Sequence, residues 1–410
     1  MNFETFNFHP SVAAGVAAAG YETPTPIQAR AIPEVFKGRD VMGRAQTGTG
    51  KTAAFVLPIL NKLVGSKYGC VRALIIAPTR ELAEQIHQDI ETLGCKTRIR
   101  SVTVYGGVGI NPQIQKLKDA DIVVACPGRL LDHIGRSTID LSQLEVLVID
   151  EADQMFDMGF MPDIRRILKH LPKKRQTLLF SATMPPEIRR LAGNILRDPA
   201  TIQVGITAPA DTVSHALYPV AQHLKTALLL KLLGNTNTSS VLVFTRTKHR
   251  AKRLGEKLVA AGYRSASLQG NLSQSRRQAA LDGFRDGKFQ ILVATDIAAR
   301  GIDVSRISHV INYDIPSTPD AYIHRIGRTG RATCSGEAFT LVTGEDKNMV
   351  RAINRIIGSE IEQRTLSTFD YGSPVPNRAG RSQWTGKPQQ KFSGVRKSRN
   401  KTKSLPKFLM

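Results

Sequence analysis

Short apolar runs rich in β-branched residues alternate along the chain with longer stretches in which apolar positions recur every three or four residues. Residues 73–77, 101–104, 122–125, 146–149 and 177–180 form a first series of runs. Residues 241–244, 265–268, 291–294, 309–313 and 338–342 form a second. Runs without polar alternation read as strands buried on both faces of a parallel sheet, and the intervals leave room for helical crossovers such as 249–261 and 274–285. Between the two series, 205–213 holds Gly205 and Pro209 and has little periodicity, which marks a linker. The expected fold is therefore α/β: two tandem parallel-sheet domains over 30–204 and 214–371, preceded by a short region over 1–29.

The length of 410 residues agrees with two domains and a remainder. Apolar residues make up 41 %, enough for two cores. The remainder, 372–410, is rich in Gly, Ser, Pro, Gln, Lys and Arg, and is expected to be a disordered basic tail. The formal net charge is +23. Ten Lys or Arg and no acid lie in 372–410, which leaves +13 on residues 1–371. Such a charge points to a polyanionic partner, nucleic acid or an anionic surface. No apolar run approaches the ~18 residues that span a bilayer, and the first ten residues lack the pattern of a secretory leader. The four cysteines are far apart, without Cys-x-x-Cys or paired-His spacing, so a reducing cytoplasmic setting is expected and no membrane role.

Candidate chemistry begins at Ala45-Gln46-Thr47-Gly48-Thr49-Gly50-Lys51-Thr52, between an apolar run ending at Met42 and a helical pattern over 53–63. A glycine-rich loop between strand and helix lets successive N–H groups curl round phosphate oxygens at a helix N-terminus. Lys51 would neutralise the β- and γ-phosphates of ATP, and Thr52 would offer its hydroxyl to Mg²⁺. Ala45 stands where the motif usually has its first glycine. The run 146–149 ends in Asp150-Glu151-Ala152-Asp153. A carboxylate at the C-terminal end of a buried strand is where a Mg²⁺-binding Asp belongs in a P-loop NTPase, and the adjacent Glu151 can orient or deprotonate the attacking water.

With these motifs in order, residues 3–365 closely resemble the DEAD-box RNA helicases of superfamily 2, and within them the bacterial RhlE-like group. That resemblance implies two RecA-like domains and assigns roles to further residues. Gly20-Tyr21-Glu22-Thr23-Pro24-Thr25-Pro26-Ile27-Gln28 resembles the Q motif, so that 1–29 becomes a Q-motif region. There Gln28 would read the adenine edge, Tyr21 would stack on the base, and Phe3 matches an upstream aromatic. Pro78-Thr79-Arg80-Glu81-Leu82, Gly106-Gly107 and Pro127-Gly128-Arg129 resemble RNA-contacting motifs, with Cys126 replacing a usual Thr. Ser181-Ala182-Thr183 resembles the motif that couples hydrolysis to strand separation through Asp153, although Ser-Ala-Thr after a strand is also an ordinary helix cap.

In the second domain, Thr245, Arg246, Gln274, Arg277 and Thr295 match positions that hold RNA backbone, and Gly301 and Asp303 match positions near the nucleotide. In Tyr322-Ile323-His324-Arg325-Ile326-Gly327-Arg328-Thr329-Gly330-Arg331, the arginine-finger positions are Arg328 and Arg331, and His324 and Arg325 would couple the domains. The resemblance thus implies RNA-stimulated ATP hydrolysis with Mg²⁺, completed only when the domains close. Backbone contacts would give little sequence preference, the expected state is a monomer, and ribosomal or other ribonucleoprotein particles are candidate partners. The same motifs also fit an ATP-gated RNA clamp or remodelling scaffold with little unwinding, or a DNA helicase.

Overall fold

The computed structural model describes residues 2–45, 48–65, 68–204, 213–236, 238–299, 307–330 and 336–372. The first seven strands are β1 Val41–Arg44, β2 Ala73–Ile76, β3 Ser101–Val104, β4 Ile122–Ala125, β5 Val146–Ile149, β6 Gln176–Ser181 and β7 Ala200–Gln203. The next seven are β8 Val213–Pro219, β9 Val241–Phe244, β10 Ser265–Leu268, β11 Ile291–Ala294, β12 His309–Asn312, β13 Gly336–Val342 and β14 Glu362–Gln363. They form two parallel sheets, ordered β3-β4-β2-β5-β6-β1-β7 and β10-β11-β9-β12-β13-β8-β14. Counted within each domain, both orders read 3-4-2-5-6-1-7, so the second sheet repeats the topology of the first.

Every apolar run of the two series is a strand. Alternate residues of the inner strands go to opposite faces, and both faces are covered. Ile75, Val124, Val148 and Leu178 join one core cluster of the first domain, and Leu74, Val123, Leu147 and Leu179 the other. Three strands were not marked by such runs. β7 is an edge strand with alternating burial, β14 has two exposed residues, and β8 opens with Val213-Ser214-His215. The linker expected over 205–213 falls on residues outside the described set, apart from Val213, the first residue of β8. The basic tail also lies outside the described residues, apart from Gly372.

Local sequence explains where the helices start. The helix Arg80–Leu93 begins at Thr79, whose hydroxyl accepts from the Leu82 N–H at 3.2 Å. Glu81 sits in its positive first turn, and Leu82, Ala83, Ile86, Ile90 and Leu93 form the buried stripe. The helix Lys51–Leu63 is buried nearly all round and tolerates Pro58 in its interior. An internal proline costs about 3 kcal/mol, which packing on every side offsets.

The parallel order brings the functional motifs to the C-terminal edges of the two sheets. Ala45 follows β1, Pro78 follows β2, Gly106 lies just past β3, Cys126 follows β4, Asp150 follows β5 and Ser181 ends β6. Thr245 follows β9, Thr295 follows β11, and Tyr313-Asp314 follow β12. Open α/β sheets bind ligands along this edge.

Candidate active site and nucleic-acid interface

The phosphate loop leaves β1 at Ala45, whose N–H donates to Ser181 O at 3.1 Å. Buried Lys51, at the first turn of its helix, donates from Nζ to Ala45 O at 3.0 Å and so spans the mouth of the loop. Gly50 has φ +87°, and a Cβ there would come within 2.5 Å of Gln28 Nε2. Glycine is required for both reasons. Gln28 uses both ends of its amide: Nε2 donates to Gly50 O at 3.1 Å, and Oε1 accepts from the Thr25 N–H at 2.8 Å. The proposed adenine reader is thus tied to the phosphate loop through one carbonyl. Tyr21 is exposed, and Phe3 packs edge-on beneath it, buried, with 5.6 Å between ring centroids. Gln46 and Thr47 lie outside the described residues.

Past β5, Asp150 Oδ1 accepts from the Glu151 N–H at 2.9 Å. Glu151 itself has φ 51° and ψ 52°, left-handed for a residue with a side chain. Such strain costs on the order of 1–3 kcal/mol and collects at functional sites. Asp150 and Glu151 are each only 2 % exposed. Burial pushes both carboxyls up, with Lys51 opposing the shift. Arg328 of the second domain, also buried, is close enough to draw Glu151 back down.

Asp153 is the centre of a hydrogen-bonded cluster. Its N–H donates to Ser181 Oγ at 3.1 Å, while Oδ2 accepts from the Thr183 N–H at 2.8 Å and its hydroxyl at 3.0 Å. Ser181 Oγ donates to Thr183 O at 2.7 Å. The cap alternative for Ser-Ala-Thr does not describe these contacts, because the hydroxyls serve Asp153. From the second domain, His324 Nε2 lies 3.9 Å from the same Asp153 Oδ2. A small cleft there is lined by Gln154 and Asp157 on one side and by Asp296, His324, Arg325 and Arg328 on the other.

Arg325 is placed differently from its neighbour. Its guanidinium holds both oxygens of Asp296 (2.6 and 2.8 Å), Asn312 Oδ1 (3.0 Å) and Asp314 O (2.7 Å), and lies 4.9 Å from the Phe244 ring centroid. All these partners belong to the second domain. Arg331, Gly301 and Asp303 fall outside the described residues.

The expected RNA residues converge more fully. A cleft of about 780 Å³ is lined by Pro78, Thr79, Arg80, Gly106, Gly107, Gly128 and Arg129 of the first domain and by Gln274 and Arg277 of the second. Gly107, at φ +81°, lets the Arg80 guanidinium lie against the backbone; a Cβ there would sit 2.3 Å from Arg80 Nη1. Arg80 Nη1 donates to Gln274 Oε1 at 3.3 Å, and Arg277 Nε donates to Glu81 Oε1 at 2.8 Å. Arg129 donates from both Nη atoms to Val108 O at 3.1 Å. Cys126 lines the cleft but makes no cap for the helix Pro127–Gly135, unlike Thr79. Pro127 is buried as the first residue of that helix. Thr245 is buried and bonds backbone carbonyls, whereas Arg246 is exposed and its N–H donates to Asp314 Oδ2 at 2.8 Å. Thr295 is part-exposed at the end of β11.

Sequence reasoning left Glu81, Asp296, Asn312 and Asp314 without roles. Glu81 stood inside a quoted motif, and Asp314 follows a recognised strand, so position alone could have flagged both.

Comparisons with known proteins agree with this geometry. Residues 25–191 match the model of the DEAD/DEAH box helicase family, and residues 224–333 that of the helicase conserved C-terminal domain. The chain is 44 % identical over 358 residues to the ATP-dependent RNA helicase CshA of Limosilactobacillus reuteri, covering 87 % of this chain and 72 % of that one. It is 42 % identical to the Bacillus subtilis DEAD-box helicase CshA, covering 90 % and 75 %. These relatives are named CshA rather than RhlE. Among solved structures, Saccharomyces cerevisiae Dbp5 bound to RNA and ADP BeF3 aligns with a TM-score of 0.80 at 32 % identity, covering 89 % of this chain and 95 % of that one. The clamp alternative is not favoured by these matches. Two domains of repeated topology, a phosphate loop facing Asp150-Glu151-Ala152-Asp153, and matches across both halves together show that this chain belongs to the DEAD-box helicase family.

Proposed function

We propose that the chain hydrolyses ATP when its two domains, 30–204 and 214–371, close over single-stranded RNA, and that it uses this cycle to separate short RNA duplexes. The observation that carries the reading is the Asp153 carboxylate. It is held by Thr183 of its own domain and lies 3.9 Å from His324 of the other, so one buried group two residues from Glu151 meets both domains, which supports a link between closure and hydrolysis.

In this reading Gln28 and Tyr21 hold the adenine, and the loop 45–52 wraps the phosphates, with Lys51 leaving Ala45 O to pair with them. Asp150 and the Thr52 hydroxyl would hold Mg²⁺, which when bound would supply positive charge to offset that of the ATP phosphates. The donor set fits. Asp150 is a buried carboxylate at the C-terminal end of β5, near enough to Lys51 to feel its charge, and offers a hard oxygen donor. Mg²⁺ ordinarily takes one or two carboxylates and completes its shell with phosphates and water. Glu151, fixed in its left-handed turn, orients the attacking water and accepts its proton. Arg328 and Arg331 stabilise charge on the transferred phosphoryl group.

The RNA would lie in the cleft shared by the domains. Arg80, Arg129 and Arg277, the backbone at 106–107 and 128, and Thr245, Arg246 and Thr295 suit phosphate and 2′-hydroxyl contact, so sequence preference is weak. A ribonucleoprotein substrate, a monomeric state and a cytoplasmic location complete the proposal. Strand displacement tests it: a short RNA duplex with a single-stranded extension should be separated only with hydrolysable ATP, and an all-DNA duplex should not. Equal activity on DNA would contradict it.

A further inference from the structure

In the second domain Lys225 is 2 % exposed and, among the described residues, has no carboxylate among its hydrogen-bond partners. Its Nζ donates to two backbone carbonyls, Tyr313 O at 3.0 Å and Leu341 O at 2.9 Å. The next residue, Thr226, places its hydroxyl 2.9 Å from the Tyr313 hydroxyl. Two consecutive side chains therefore grip one tyrosine, one by its carbonyl and one by its ring oxygen.

The repeated topology gives this cluster a meaning. β8 occupies in its sheet the place that β1 occupies in the other, and β12 that of β5. Lys225-Thr226 open the helix Lys225–Asn235 that follows β8, as Lys51-Thr52 open the helix that follows β1. Tyr313 follows β12 directly, as Asp150 follows β5. The glycine before Lys51 is replaced by Leu224, so no phosphate-wrapping turn is encoded. The Lys-Thr pair is kept, but it clasps the ends of β12 and β13, whereas Lys51 bonds the carbonyl of Ala45 at the mouth of a glycine-rich loop.

The clasp leads toward the active site. Tyr313 is followed by Asp314, whose carbonyl accepts from Arg325 Nη1 at 2.7 Å and whose carboxylate takes the Arg246 N–H and pairs with Arg250. Arg325 belongs to the helix Pro319–Ile326, which also carries His324, and Arg328 follows one turn later. We propose that Lys225 is a positioning residue for ATP hydrolysis: by fixing the carbonyls at the ends of β12 and β13, it sets the helix that presents His324 and Arg328 to the first domain. Loss of the ammonium would leave two buried carbonyls unpaired at the point where Arg325 anchors that helix. Misplacement of reacting groups by about 1 Å can cost on the order of a hundred-fold in rate.

This inference rests on the closure-dependent ATPase described above, and one experiment separates the two. Steady-state ATP hydrolysis is measured on the full chain with saturating single-stranded RNA, for wild type, Lys225→Met and Tyr313→Phe, with circular dichroism melts of each. No RNA-stimulated turnover in wild type would sink the ATPase reading itself. With wild type active, Lys225→Met should lower kcat about ten-fold or more while the KM for ATP stays within about two-fold, since the groups assigned to hold adenine and wrap the phosphates lie on the first domain. Tyr313→Phe, which removes only the hydroxyl pair, should lower kcat about two- to five-fold at unchanged KM and unchanged melting. Should Lys225→Met fail to fold, Tyr313→Phe decides alone. Wild-type kcat in a folded Lys225→Met, or in Tyr313→Phe, overturns the proposal.

Discussion

Arg277 of the second domain and Glu81 of the first form an ion pair across the nucleic-acid cleft, with both Nε and Nη2 2.8 Å from Glu81 Oε1. Their side chains are 14 % and 7 % exposed, so solvent screens the pair little. Arg277 is itself read as an RNA contact and Glu81 adjoins another, Arg80, which makes the pair part of domain closure as well as of the binding surface. A double-mutant cycle with Glu81→Ala and Arg277→Ala, read on RNA-stimulated kcat/KM, should give a coupling of about 1 kcal/mol or more. Additive losses would mean that the pair is not formed during turnover.

Arg328 meets the site from the opposite domain, and its charge is felt at Glu151. Arg328→Ala should bind ATP as well as wild type and lose on the order of 10²-fold in kcat. Nucleotide affinity measured with a fluorescent ATP analogue, beside turnover, checks both halves; unchanged kcat would remove the finger assignment.

Cys126 makes two predictions with a sign. Its thiol is pushed up to about 12, chiefly by burial with Glu81 adding to it. At pH 8 it should therefore stay a thiol and alkylate far more slowly than exposed Cys95. Because the unfolded thiol ionises near pH 8.5, the folded state loses stability as pH rises from there toward 12. Cys126→Thr should remove that alkaline loss and add a helix cap worth about 0.5–1 kcal/mol. A melting temperature unchanged at pH 7 and at pH 10 would contradict both effects.

Ten positive charges lie in 372–410, and none of them belongs to a motif assigned to ATP or RNA. Deleting 372–410 should weaken RNA binding and flatten its dependence on salt, since fewer counterions are released. Binding isotherms between about 50 and 200 mM salt measure the slope; an unchanged slope would show that the tail does not touch phosphate.

Much of the fold was legible in the sequence because buried parallel strands write themselves as unbroken apolar runs. The ends of those runs then place Lys51, Asp150, Asp153 and Arg80 on one edge. β7 escaped because an edge strand alternates, and β14 because it has only two residues; β8, inside its sheet, escaped because Ser214 and His215 interrupt its start. The role of Glu81 and the partners of Arg325 escaped for another reason. An ion pair 196 residues apart and a guanidinium shared among Asp296, Asn312 and Asp314 depend on how the folded elements meet, which no local pattern records. The Lys225-Thr226 pair was in view as two ordinary letters, and only the repeated strand order makes it a counterpart of Lys51-Thr52.

The central claim is that hydrolysis is completed by groups from both domains when RNA brings them together. ATP turnover by the full chain, measured with and without single-stranded RNA across a range of salt, tests it most directly. Low turnover alone and strong stimulation by RNA that fades as salt rises are the predicted result; turnover indifferent to RNA at every salt concentration would contradict it.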